Sequence, residues 1–486
     1  MHLKIFFLWV VFITLTFHGR QDYLPSQDDL ERQTKVTIVG EEFHINGTPT
    51  YQGQVWKTSY GSEYDVQGLL MNARLVQGIF DDLNEQTKGQ WAYPDTGIWD
   101  PDRNTDEFIR AMASWREHGL LGFTLNLQGG CPYGYCNGFP WDNSSFEPDG
   151  SLREPFMKRA ERIIGRADEL GMVVILGFFY FGEDGTLQDE DAVKQAVKNA
   201  ASWVLENGYT NVIVEINNEC SVRAYDHAIL RCDRVHELIN IVRNIEIDGR
   251  RLYVSTSLAG GHVPTDNIVE VSDFVLIHGN GVQNHERITE ISQIVRDKEV
   301  YRPMPLVNNE DDIPWRNEDQ GWGEDGNNFV ASVKSYTGWG YFDFRRPDER
   351  HDYNLGFQSI PVNWQISSDR KWDFFKLLAE ITGSPGTPKV DIEFSSSIGE
   401  KMEVYIEGGP ENINIRKLEL IVNNQVVGQS SQAPAEFIVD ELGKNIMSDN
   451  HWIKARLTYE IEGREVVVES PYHKNPWWPY GGPSQD

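Results

Sequence analysis

Short apolar runs alternate with longer amphipathic stretches along most of the chain. Helical periodicity is clear in Glu154–Leu170, where Phe156, Ile163, Ile164 and Ala167 share one face. Between such stretches, eight apolar runs have the length of buried strands: 51–56, 122–127, 173–178, 212–216, 252–257, 274–277, 305–307 and 340–344. Strands alternating with helices predict parallel β-α-β units, so residues 30–384 are predicted to form a (β/α)8 barrel. An open doubly wound sheet is the alternative, but its glycine-rich turn after the first strand is missing.

The periodicity changes after the segment 383–388, which is rich in glycine and proline. From residue 389 onward, side chains alternate with period two and no helical pattern occurs, which predicts an all-β sandwich over residues 389–486. The stretch 418–455 resembles the bacterial immunoglobulin-like modules attached to secreted carbohydrate enzymes. Because domain boundaries fall where few contacts cross, this part is predicted to fold separately and to stay away from the chemistry. Near the N-terminus, Asn46-Gly47 predicts the turn of a β-hairpin.

Composition and charge narrow the class of protein. The 486 residues are 40% hydrophobic, enough for a packed core, and their formal net charge is −30. That charge has the wrong sign for binding nucleic acid. At the N-terminus, Lys4 precedes the apolar run 5–17, which predicts a signal peptide at 1–20 and a secreted or periplasmic protein. Its cleavage site is poorly marked, so an uncleaved N-terminal anchor is the alternative, and no other membrane contact is expected.

Four cysteines fit an oxidising compartment. Cys131, Cys136, Cys220 and Cys232 allow three connectivities, of which the short pairings are Cys131 with Cys136 and Cys220 with Cys232. A metal site is the alternative. No C-x-x-C motif occurs and no histidine lies at ligand spacing, so disulfides are favoured, and neither a metal nor a cofactor is predicted.

The same tripeptide follows two predicted strands. Asn-Asn-Glu ends with Glu219 after the fourth strand and with Glu310 after the seventh. Either motif alone is explained by capping of the next helix. Together they place two carboxylates at opposite sides of the mouth of a barrel, where the active sites of such barrels lie. Two facing carboxylates are the groups needed to hydrolyse a glycosidic bond.

The motif Glu215-x-x-Asn218-Glu219, with Glu310 after the seventh strand, resembles clan A of the glycoside hydrolases, including its family 5. The resemblance implies a retaining hydrolase of poly- or oligosaccharides. Glu219 is then the general acid/base, Glu310 the nucleophile, and Asn218 the residue that hydrogen-bonds the sugar 2-hydroxyl. The chain departs from the family 5 pattern at Cys220, where proline is usual. A catalytically silent carbohydrate-binding protein and a transglycosylase are the alternative functions.

Further substrate-binding candidates come from strands six and eight and from aromatic loops. His278 and Asn280 follow strand six, in a motif that lacks the tyrosine usual in family 5. Trp339 at strand eight is predicted to stack under the reactive sugar, and Trp56 is predicted to line the cleft. Burial in the core is the alternative for His278 and Trp339. The acidic run 310–312 lacks the spacing of a calcium loop, so a solvated loop is predicted there.

Overall fold

The computed structural model describes residues 32–136, 138–317, 319–322, 326–397, 400–438 and 451–476. The predicted signal peptide lies outside these residues. Among them, no helix is both long enough and apolar enough to cross a membrane.

A small antiparallel sheet covers the N-terminal end of the barrel. It consists of β1 (Val36–Val39), β2 (Glu42–Ile45) and β3 (Thr48–Pro49), and the predicted Asn-Gly turn joins β2 to β3. Phe43 packs edge-on against Phe274, which directly precedes the sixth barrel strand. A separate hairpin, β4 (Val55–Lys57) with β5 (Glu63–Asp65), follows.

Eight parallel strands form the barrel within the described residues. They are β6 (Asn72–Arg74), β7 (Gly122–Asn126), β8 (Val173–Phe179), β9 (Val212–Asn217), β10 (Val254–Ser255), β11 (Val275–His278), β12 (Leu306–Glu310) and β13 (Gly340–Tyr341). Six are paired in the order β10-β9-β8-β7-β6-β13, and β11 pairs with β12. Parallel bridges join β12 to β13 at Val307 and Gly338, and the Asp273 N–H donates to the Val254 carbonyl between the remaining two strands. The predicted (β/α)8 barrel is therefore confirmed.

Nine α-helices accompany these strands in the described part of the chain. They are α1 (Pro101–Glu117), α2 (Glu154–Leu170), α3 (Glu190–Glu206), α4 (His236–Arg243), α5 (Asp266–Val271), α6 (Glu286–Arg296), α7 (Ile313–Arg316), α8 (Asn328–Lys334) and α9 (Asp369–Thr382). Local sequence sets their ends. Asp100 caps α1 by accepting the N–H groups of Asp102 and Arg103, and Gly171 ends α2 with a positive φ that glycine adopts without strain.

The first barrel strand differs from the prediction. The run 51–56 was expected to provide it, but only part of this run forms β4, in the outer hairpin. The barrel strand is β6 (Asn72–Arg74), which is three residues long and polar in two of them. Period and apolarity give no signal for this strand, because it has only three residues and two of them are polar.

Two antiparallel sheets follow the barrel. One has β14 (Lys389–Phe394), β15 (Lys401–Glu407) and β18 (Ala435–Ile438), and the other has β16 (Asn414–Val422), β17 (Gln425–Ser430), β19 (Trp452–Ile461), β20 (Arg464–Glu469) and β21 (His473–Lys474). Apolar side chains of both sheets share one core, as the predicted sandwich requires. Its immunoglobulin-like character stays a prediction.

The sandwich does not stand apart from the barrel as the sequence suggested. Strand β20 packs on helix α1, and Arg464 pairs with Glu117 at 2.9 Å. Beside this contact lies a group of charges that we call the junction cluster: the buried Lys454 and Glu469 with the partly exposed Arg110 and Arg456. The expectation of few contacts fails because the sandwich covers an α1 surface that would otherwise face solvent.

Candidate active site

The ends of strands four, six and seven bring three titratable side chains together. Glu219 follows β9, His278 ends β11 and Glu310 ends β12. One donor or acceptor atom from each lies within 4.8 Å of the other two. With Arg74 and Glu215 they form what we call the mouth cluster. All five side chains are buried, so their charges interact without the screening of bulk water.

Glu310 is held from two sides. The Nε of Arg74 lies 2.6 Å from its Oε2 atom, and the Asn280 amide donates to its Oε1 atom at 2.8 Å. The motif after strand six lacks the tyrosine that would hydrogen-bond this carboxylate. Asn280 supplies a hydrogen bond in its place. Both contacts favour the ionised form of Glu310.

Arg74, which was not predicted from the sequence, contacts Asn218 and Glu215 as well as Glu310. Its Nη2 donates to the Asn218 Oδ1 at 2.8 Å, and its Nη1 lies 3.9 Å from Glu215. These contacts orient Asn218 so that its Nδ2 has no hydrogen-bond partner among the described residues. An arginine three residues after the apolar run 69–71 was the signal available in the sequence.

Glu219 lies on a constrained turn. Its φ of 53° falls in the left-handed region, which is uncommon for a residue with a long side chain. The turn is fixed by two bonds to Ser257, whose Oγ accepts the Glu219 N–H at 3.0 Å and whose carbonyl accepts the Cys220 N–H at 2.9 Å. Backbone strain of this kind concentrates at functional sites.

Both predicted disulfides are confirmed. Cys220 is joined to Cys232 and Cys131 to Cys136. The first bond starts one residue after Glu219 and closes the loop that follows β9. It therefore limits the movement of the segment that carries this carboxylate.

Burial dominates the electrostatics of the mouth cluster. It raises the pKa of both Glu219 and Glu310 above the usual glutamate value, while the charge of Arg74 opposes that rise. Burial lowers the pKa of His278, whose Nδ1 lies 2.9 Å from Glu219 Oε1. The imidazole is thus neutral at pH 7, and the proton on the cluster is held by a carboxyl group.

The two tryptophans predicted to bind sugar are elsewhere. Trp339 is 0% exposed, stacks on Phe329 at 4.5 Å, and donates its indole N–H to Asp311 at 3.1 Å. Trp56 is buried in the outer hairpin and donates to Glu380 of α9 at 3.0 Å. Both are core residues, because their positions put the rings between the barrel and its helices.

Two tyrosines lie beside the cluster, of which Tyr135 belongs to the aromatic loops that the sequence associates with a sugar-lined cleft. Tyr135 is 49% exposed, and its hydroxyl accepts a hydrogen bond from Asn280 at 3.3 Å. Tyr180 is buried, and its pKa is raised mainly by burial and then by the charge of Glu310. Tyr135 is thus an accessible ring next to the carboxylates.

The acidic run after β12 is buried, against the prediction of a solvated loop. Asp311 accepts hydrogen bonds from the Ile313 N–H at 3.0 Å and from Trp339, and Asp312 pairs with Arg316 at 2.9 Å. These carboxylates hold the loop in place. Within the described part of the chain, Glu219, His278 and Glu310 are close enough together to approach a cation, but Arg74 already pairs with Glu310 there.

No known family model and no curated protein sequence matches the chain. Solved structures to which the chain is similar include a glycoside hydrolase of family 5 from Bacteroides vulgatus, at 13% identity over 81% of this chain and 91% of that one, with a TM-score of 0.43. An endo-beta-1,4-mannanase from Thermotoga petrophila is 12% identical over 75% of this chain and 94% of its own, with a TM-score of 0.36. A family 5 enzyme from Prevotella bryantii is 12% identical over 65% and 95%, with a TM-score of 0.39.

Proposed function

We propose that the protein is an exported retaining glycoside hydrolase acting on a poly- or oligosaccharide. The observation that carries this proposal is the spacing of its two carboxylates. One carboxylate oxygen of Glu219 and one of Glu310 lie at most 4.8 Å apart, which is closer than the groups of an inverting pair. Retaining enzymes hold their carboxyl groups about 5 to 5.5 Å apart, whereas inverting enzymes need about 6.5 to 9.5 Å to admit a water molecule.

In the first step, a carboxylate oxygen of Glu310 attacks the anomeric carbon. The bond from that carbon to the leaving oxygen breaks, and Glu219 gives its proton to the leaving oxygen. The Asn218 Nδ2, aimed by Arg74, donates to the 2-hydroxyl of the reacting sugar. This contact strengthens as positive charge develops on the ring.

In the second step, the sugar is released to water. The Glu219 carboxylate takes a proton from a water molecule, whose oxygen attacks the anomeric carbon as the bond to Glu310 breaks. The anomeric configuration is inverted twice and is therefore retained. Both carboxyl groups return to their starting protonation states.

The assignment of the two roles follows from their contacts. Glu310 has the ion pair with Arg74 and the shorter of the two Asn280 amide contacts, so we assign it the ionised state. Glu219 has no guanidinium within 4.0 Å among the described residues, so we assign the proton of the coupled pair to it. A buried acid beside an ionised nucleophile is the arrangement that the reaction requires.

The experiment is a screen of aryl glycosides with the full chain, followed by variants. Proton NMR of the first product should show the anomer of the substrate. Glu219→Ala should lose most activity on poor leaving groups and regain it with azide as a glycosyl azide of retained configuration. Glu310→Ala should be inactive, with no retained product in azide. The inverted anomer as first product, or full activity in either variant, would contradict the proposal.

Export is the remaining part of the proposal. It rests on the predicted signal segment and on the two disulfides, which form and persist in oxidising compartments. Mass spectrometry of the unreduced protein should find no free thiol. The same sample should begin after the apolar run at 5–17 if the segment is removed.

A further inference from the structure

We propose that the glycan carries negative charge and lies in a basic groove formed jointly by barrel loops and the sandwich. This inference rests on the proposed function for the reaction, but the groove itself is defined by separate residues. It is made of two neighbouring cavities of about 370 and 310 Å³ that share Tyr133, Arg345 and Arg350. Cavities of this size suit small ligands or single sugar units.

The larger cavity is basic throughout. Arg345, Arg350, His351 and Lys474 contribute to its wall, and no aspartate or glutamate does so among the described residues. That composition is unusual in a chain of net charge −30. A local excess of cations on an acidic protein attracts an anion to one place and repels it from the rest of the surface.

The cations in this cavity are not used in ion pairs. For Arg345, Arg350 and Lys474, no carboxylate lies within 4.0 Å among the described residues. Arg345 is buried and donates to the carbonyls of Ser359 at 2.5 Å and Pro361 at 2.9 Å, which fix the guanidinium without neutralising it. Asp343 and Asp352 act on this charge only from a distance, and a buried cation without a carboxylate in contact is costly unless an anion binds there.

Aromatic rings accompany the charges. The guanidinium of Arg350 lies 4.6 Å from the centre of the Tyr133 ring, and the ammonium of Lys474 lies 5.3 Å from that of Trp452. Sugars bind to rings through their C–H faces, while arginine and lysine bind carboxylates and sulfates. A uronic acid or a sulfated sugar has both a C–H face and an anionic group.

The second cavity is linked to the mouth cluster through Tyr135. Tyr135 lines it together with Arg316 and Arg346, and Asp348 is its single acidic residue among those described. The Tyr135 hydroxyl contacts Asn280, which in turn bonds Glu310. A glycan in both cavities thus contacts the sandwich at one end and, at the other, Tyr135, whose neighbour Asn280 bonds Glu310.

The test measures binding, so that it does not depend on turnover. The probes are a short oligosaccharide of uronic acids, a sulfated oligosaccharide of neutral sugars, and the neutral oligosaccharide made from the first by reducing its carboxyl groups. Titration calorimetry uses the full chain with Glu219→Gln, which prevents consumption of the probe. At least one anionic probe should bind tenfold or more tighter than the neutral one, and salt should weaken it.

The variant Arg350→Gln/Lys474→Gln should abolish most of that preference. Both side chains are exposed, so the fold should be retained, and a melting curve checks this. Lys198→Gln, at an exposed position of α3, is the control for a change of net charge and should keep the preference. Equal affinity for charged and neutral probes, or a preference unchanged in the double variant, overturns the groove proposal.

These outcomes are separable from those of the hydrolase proposal. If the anionic probe binds through Arg350 and Lys474 but no glycoside is cleaved, the groove proposal is supported and the hydrolase proposal is contradicted. If neutral glycans are hydrolysed with retention and charged probes bind no tighter than neutral ones, the hydrolase proposal is supported and the groove proposal is contradicted.

Discussion

Two groups of charges in this molecule differ in how their surroundings shift the pKa of a buried glutamate. In the mouth cluster, Glu215, Glu219 and Glu310 share one arginine, and burial raises the pKa of the two catalytic candidates. In the junction cluster, Glu469 alone is surrounded by three cations. Lys454 lies 2.5 Å away and Arg456 2.6 Å away, so the pKa of Glu469 falls well below its usual range.

The difference shows how charge balance separates catalysis from structure. An excess of carboxylates leaves a proton that is easily moved, which a reaction can use. An excess of cations fixes the charge of Glu469, and its backbone N–H also donates to Gln365 of the barrel at 3.3 Å. The junction cluster therefore acts as a permanent contact between the two parts of the chain.

The largest expected effect is on activity in the mouth cluster. Glu310→Gln keeps the volume of the side chain but removes the nucleophile, so kcat should fall about a thousandfold or more. Steady-state rates on the best aryl glycoside measure this. Glu465→Gln, an exposed position of β20, removes the same charge and should leave kcat unchanged. If Glu310→Gln keeps a tenth of the rate, the mouth cluster is not catalytic.

The next effect is on stability in the junction cluster. Glu469→Gln leaves the buried Lys454 without its carboxylate partner, while Arg456 keeps Glu419 at 3.6 Å, and this should lower the free energy of unfolding by about 3 kcal/mol. Urea unfolding measures it, again with Glu465→Gln as the matched control on the same strand. If Glu469→Gln lowered kcat but left the free energy of unfolding unchanged, the junction cluster would not have the structural role given to it here.

The sequence predicted one of these clusters far better than the other. Glu219 and Glu310 were found because a repeated tripeptide follows two apolar strands, and strand ends four and seven must face each other in a barrel. Asn280 was found through its place after strand six. Arg74 was missed because its strand is short and polar, and an isolated arginine resembles a surface residue.

Burial was the property that sequence did not reveal. Trp339 was expected at the sugar because clan members hold an aromatic ring at strand eight, but its ring stacks on Phe329 behind the strand. The junction cluster had no signal at all, since Lys454 and Glu469 alternate with apolar residues as exposed strand positions do. Only the docking of the sandwich on α1 buries them.

The pH dependence of stability should have opposite signs in the two clusters. The folded-state pKa of Glu469 is lowered, so its contribution is present above the unfolded value of about 4.3 and is lost as pH falls below it. The pKa of Glu310 is raised, so wild type should lose stability relative to Glu310→Gln as pH rises above about 4.3.

Urea unfolding of wild type, Glu469→Gln and Glu310→Gln between pH 3 and pH 8 measures both differences. Each should amount to roughly 1 to 3 kcal/mol. Differences that run in the same direction would mean that the two clusters are not distinguished by charge balance.

The smallest effect is a displacement of the pH profile of activity. Arg74 lowers the pKa of Glu310 and of Glu219, so Arg74→Met should move the acid limb of kcat/KM upward by about one pH unit, equivalent to about 1.4 kcal/mol. The basic limb, which reports loss of the proton from Glu219, should move upward as well. Lys371→Met removes a buried cation that bonds the carbonyl of Asn363 in the α9 region, and it should leave both limbs in place. If Arg74→Met lowers the plateau but both limbs stay at the wild-type pH, Arg74 only positions Asn218, and the protonation of the pair is set by burial alone.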